Sequence, residues 1–122
     1  MVGTMSRQRV ALLAGTDSPI APSPPGAALH DELELLVRAG LSPIAALRTA
    51  TYEPARYFAG TDSLGSVAAG KVADLVVLDA DPRADIRNSR RIFLVVADGR
   101  AYDAEARAAL IAGVKRAAKG NQ

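Results

Sequence analysis

The chain has no cysteine and no tryptophan, a single histidine, and an aromatic content of only 4% over 122 residues. Each shortage removes a class of chemistry. Without cysteine there are neither disulfides nor thiolate metal sites. With His30 as the only histidine, all imidazole chemistry rests on one position. The net charge is +2, and the lysines and arginines are spread along the chain. A nucleic-acid footprint needs a basic cluster with interleaved aromatics, so nucleic acid is not an expected partner. No apolar run approaches the ~20 residues that cross a bilayer. The opening MVGTMSRQR has no apolar signal-peptide core. The expectation is a cytoplasmic protein without a membrane partner. What remains is a chain that is 49% hydrophobic, enough for one globular domain burying roughly two-thirds of its unfolded surface.

Along the chain, Val10 to Ala14 is continuously apolar and ends at Gly15, as a strand buried on both faces would. Gly15-Thr16-Asp17 then leads into a loop, 18–26, that holds four of the seven prolines. From Ala27 to Ala39, Leu29, Leu33, Leu36 and Val37 recur at helical spacing as a core stripe. Asp31, Glu32 and Glu34 fall on the opposite, solvated face. Ser42-Pro43 reads as an N-cap with proline at the first helical position, and Pro54 as the opening of another single-turn helix. Past Leu64 the pattern changes to strands: one near Ser66-Val67, one from Asp74 to Leu78, and one from Ile92 to Ala97. Asp98-Gly99 is a hairpin turn returning to Tyr102. Ala104 to Ala118 is alanine-rich and helical. Arg90-Arg91 reads as an exposed pair before a strand, and Lys71 as a turn residue.

Three stretches, "LLAGTDSP", "LHDELELLVRAGLSPIAALRTATYEPARYF" and "LGSVAAGKVADLVVLDADP…VVADGRAYD", together resemble the carboxyl-terminal part of the metal-dependent amidohydrolase superfamily. The flavour is that of imidazolonepropionase-like and prolidase-like members. The resemblance implies an α/β fold: the last strand-helix unit of a TIM-like barrel, plus the later strands of the flanking β-sandwich. It divides the chain into a tail at 1–9, a barrel segment at 10–63, a sandwich segment at 64–103 and a terminal helix at 104–122. It implies hydrolysis of a carbon–nitrogen bond, amide-like or cyclic, in a small molecule, by water activated on a divalent metal, zinc by expectation. Asp17 matches the family's last-strand carboxylate, metal ligand and base toward the attacking water. His30 matches a histidine near the substrate but not among the metal ligands; the alternative reading is a helix first-turn residue with a partly exposed ring. Gly70, Lys71 and Asp74 serve turn geometry and local pairing.

The family's His-x-His pair, bridging lysine and two further metal-binding histidines belong to earlier strands that this sequence does not contain. One carboxylate cannot hold a catalytic zinc, which takes about three protein ligands. Glu53 stands where relatives carry Asn, a better cap, and MVGTMSRQR replaces the usual helix-and-loop lead into the strand. The expectation is therefore a segment inactive by itself. The alternatives are a non-enzymatic interaction module, self-associating through unpaired strand edges, and one half of a split enzyme completed by a missing barrel half. A receiver domain, suggested by "ADLVVLDADP", requires alternating strands and helices throughout, and the hairpins past Leu64 oppose it.

Overall fold

The structure, a computed structural model, describes residues 1–18 and 26–119. Four helices come first: α1 (Val2–Arg7), α2 (Ala27–Arg38), α3 (Pro43–Thr49) and α4 (Tyr52–Tyr57). A strand β1 (Leu75–Leu78) is followed by a 3₁₀ helix (Ile86–Arg90), then β2 (Ile92–Ala97), β3 (Arg100–Tyr102) and α5 (Ala104–Lys119). The three strands form one antiparallel sheet in the order β1-β2-β3. The fold is α/β, with α1–α4 ahead of a small sheet and α5 after it. Among the described residues, no helix is long and apolar enough to cross a membrane.

The core is small because few elements close on one another. Leu33, Leu36, Leu41, Ala46 and Ile86 form its buried cluster, joining α2, α3 and the 3₁₀ helix. Leu29 lies on the expected stripe, one turn ahead of Leu33, but is 39% exposed. Ser42 caps α3, its Oγ accepting the Ala45 amide at 3.3 Å with Pro43 at the first position. The helix at Pro54 starts two residues early, at Tyr52, and the hydroxyl of its cap residue Thr51 donates back to the Leu47 carbonyl at 2.9 Å rather than capping the first turn. Glu53 is thus inside the first turn rather than at the cap, and bonds Arg48 at 3.2 Å.

Two expected strands do not form. Val10 to Ala14 is irregular: Leu12 and Ala14 lean on the core, while Val10 and Leu13 are 44% and 41% exposed. Among the described residues, its backbone ties to helices run from the Val10 amide to the Met5 carbonyl and from the Ala14 amide to the Thr49 carbonyl, both at 3.0 Å. A strand is defined by its ladder, and here no neighbour supplies one. The stretch at Ser66-Val67 is likewise a bend without a partner. Conversely, the opening residues are not a bare tail. Val2–Arg7 is a helix whose Gly3 packs on the Ala39 carbonyl at the end of α2.

In the sheet, Leu75 pairs with Val96 and Val95 with Tyr102. Asp98 and Gly99, at φ +50° and +72°, close the β2–β3 hairpin. This is the mirror-image turn that fits strand twist. The Asp74 carboxylate accepts the Asp98 amide at 2.8 Å, fastening the hairpin to the entry of β1. The Lys71 ammonium donates to the Thr61 and Leu64 carbonyls and to Ser66 Oγ, which ties the loop ahead of β1 to the end of the helical half. The total accessible area is 8780 Å², against about 6,200 Å² for a compact monomer of this mass.

Candidate functional site

Asp17 ends the segment that begins at Val10. The Thr16 Oγ1 accepts the Ser18 amide at 3.4 Å, a local turn at the end of the apolar run. Asp17 itself is exposed and lies at φ +50°, a left-handed conformation that Asp tolerates better than most residues. The apolar run is seated by its alternate side chains, and the carboxylate is presented at its exit. Of the proline loop that follows, 19–25 lies outside the described residues.

His30 is placed elsewhere. In the first turns of α2, its Nδ1 is 3.0 Å from the Oγ of Ser89, which is buried in the 3₁₀ helix. Beside it, Arg90 donates to Glu34 at 3.0 Å and to Asp31. The acidic face of α2 is therefore ion-paired as well as solvated. Partial burial, and next the Arg90 guanidinium, hold the His30 pKa below 6.5, while Asp31 and Glu34 act the other way. Ser89 and Arg90 are 59 positions from His30 and Asp31 in sequence. The nearest local signal was Asp85, whose carboxylate caps the 3₁₀ helix through the Arg87 amide at 3.0 Å.

Asp17 and His30 do not share an enclosed cavity among the described residues. A cleft of 220 Å³ opens between the irregular segment and helices α3 and α4, walled by Arg9, Arg48, Glu53 and Arg56. Neither candidate residue lines it, and it is smaller than the roughly 300 Å³ at which small-molecule sites begin. Glu53 there is held by Arg48 and, at 3.5 Å, by Arg56, so its charge serves the α3–α4 joint.

A divalent metal needs about three converging donors from the protein. Among the described residues, no three histidine, aspartate or glutamate side chains converge in that way. Asp17 is a suitable oxygen donor, but the donor set of the described residues does not fit a complete metal site.

Comparison with known proteins fixes the lineage of this arrangement. Residues 5–102 match the amidohydrolase family. Adenine deaminase 2 of Jannaschia sp. (strain CCS1) is 44% identical over 62 residues, which is 51% of this chain and 10% of that enzyme. Molinate hydrolase superposes with a TM-score of 0.75 and 34% identity over 82% of this chain. A prolidase-like protein of Bifidobacterium longum does so with a TM-score of 0.75 and 37% identity over 82%. The chain spans about a tenth of the curated relative and 25% of each of these two solved chains. The match begins at residue 5, within α1. With most of its length matched, the chain belongs to the amidohydrolase family.

Proposed function

We propose that this chain supplies the last carboxylate of a metal-dependent hydrolytic site, Asp17, and that the site is completed by barrel strands outside the 122 residues. The reaction class is hydrolysis of a carbon–nitrogen bond in a small molecule. A divalent metal held by Asp17 together with donors outside these residues would supply a water of near-neutral pKa, with Asp17 as one oxygen ligand and as the base that would take its proton. His30 stands on the substrate side as a positioning residue, its ring oriented by Ser89. The 122 residues alone have no hydrolase activity in this reading.

The observation that carries the proposal is the family match over residues 5–102 joined to the exposed Asp17 at the exit of an apolar segment. The surplus accessible area points the same way: the excess over a compact monomer is roughly 2,500 Å², the size of a permanent protein–protein interface. The purified chain is expected to bind zinc below stoichiometry and to turn over no amide or cyclic substrate. Tight one-to-one zinc with turnover overturns the claim. When the missing strands are supplied, Asp17→Asn is expected to lower kcat by about 10²–10⁴-fold with the circular dichroism unchanged.

A second reading, an interaction module without chemistry, is favoured by the exposure of Val76, Phe93 and Val67 at 57%, 61% and 84%. A partner captured by the chain that carries no barrel and no metal ligands supports it; restoration of hydrolysis by an added barrel half rejects it.

A further inference from the structure

Arginines from separate elements converge on the cleft between the irregular segment and the α3–α4 joint. Arg9 follows α1, Arg48 belongs to α3 and Arg56 to α4. Against them stands one carboxylate, Glu53, which meets Arg48 at 3.2 Å and Arg56 at 3.5 Å. A guanidinium carries several N–H donors in a fixed fork, and each of these two engages Glu53 through a single nitrogen. Their side chains are 52% and 59% exposed, so the remaining donors are open to a ligand. Glu53 holds the pair side by side, and Arg48 is steadied over the Tyr52 ring, 4.8 Å from its centroid. Donors ordered before a ligand arrives lower the entropic cost of binding it.

Arg9 is the third wall. Among the described residues its side chain has no polar partner. It lies at φ +58° just past the end of α1, where a left-handed residue is ordinarily glycine. Turn geometry alone therefore does not account for an arginine there. Backbone donors continue the same wall: the Ala11 and Leu12 amides reach no protein acceptor among the described residues. Ser6 adds a hydroxyl, and Leu41 and Ala45 close the apolar side.

We propose that this cleft binds a small oxyanion: phosphate, free or as the head of an organic monoester. The guanidiniums exceed the carboxylate by two charges, and a phosphate monoester carries about −1.5 to −2 at pH 7. The planar forks of arginine match its oxygens. A cleft of 220 Å³ is too small for an extended substrate and large enough for so compact a group. An apolar ligand would leave the donors unmet, at a cost, and a cation would be repelled. The proposal does not depend on the hydrolytic reading, since neither Asp17 nor His30 lines this cleft.

Titration of the full chain with inorganic phosphate at low ionic strength, followed by amide NMR shifts, tests it. Saturable binding on the order of 1 mM or tighter is expected, weakening as salt is raised. The Ala11 and Leu12 amides should shift most. Arg9→Gln, at a side chain with no partner to lose, should weaken binding roughly three- to tenfold and leave the unfolding temperature unchanged. Arg116→Gln, far along α5, should leave the affinity as it was. Glycerol phosphate binding at least as tightly as phosphate makes an organic phosphate the ligand; weaker binding makes it the free ion. Absence of saturation overturns the proposal, as does equal weakening by Arg9→Gln and Arg116→Gln, or chloride competing as well as phosphate.

Discussion

His30 carries the clearest single-side-chain consequence. Its pKa is held below 6.5 in the folded chain by burial and by Arg90, so on acidification the unfolded chain takes up the proton first. The stability linked to this group is complete above about pH 6.5 and is lost as pH falls through that value toward the folded pKa. The unfolding temperature of the wild-type chain should therefore drop more steeply from about pH 7 to about pH 5 than that of His30→Gln. Parallel curves would remove His30 from the account. The sequence marked both Asp17 and His30, since a carboxylate ending an apolar run and a lone imidazole stand out by type alone. It could not show Ser89 or Arg90 as partners of α2. A contact spanning 59 positions has no local pattern, because it depends on where a 3₁₀ turn comes to rest rather than on spacing.

Among the elements, α1 depends on one small residue. A Cβ on Gly3 would overlap the Ala39 carbonyl oxygen, and that atom is backbone, unable to swing aside. Gly3→Ala should lift α1 from the end of α2 while leaving the Leu33–Leu36 core intact. Trypsin should then cut at Arg7 or Arg9 well before it cuts within α3, and an unchanged digestion pattern would contradict the packing. Legibility followed the strength of the local code. Ser42-Pro43 announced α3 through its cap, and Asp98-Gly99 announced the hairpin through its turn. Val2–Arg7 gave no such sign, being short and without apolar periodicity. Val10 to Ala14 showed strand composition but not a strand, since composition reports a preference for burial and a ladder also requires a neighbour.

For the molecule entire, the balance between exposed and enclosed surface governs behaviour. Leu36 and Ile86 come from the two halves of the chain and meet in one cluster, so α2 and the 3₁₀ helix share a core, yet even its larger side chains keep some contact with solvent. The family resemblance could be read from the order of three motifs, but the thinness of this core could not. Burial depends on what surrounds a side chain as well as on its type. A core so thin releases little hydrated apolar surface when it melts. Its heat-capacity increment on unfolding should fall below the about 1.5 kcal/mol/K usual for a chain of this length, giving a broad, shallow calorimetric transition. A full-sized increment would show the core to be deeper than described. The missing heat capacity is expected to appear instead as a large negative increment when the exposed surface is covered, so that calorimetry of assembly, rather than of unfolding, records most of the hydrophobic effect available to this chain.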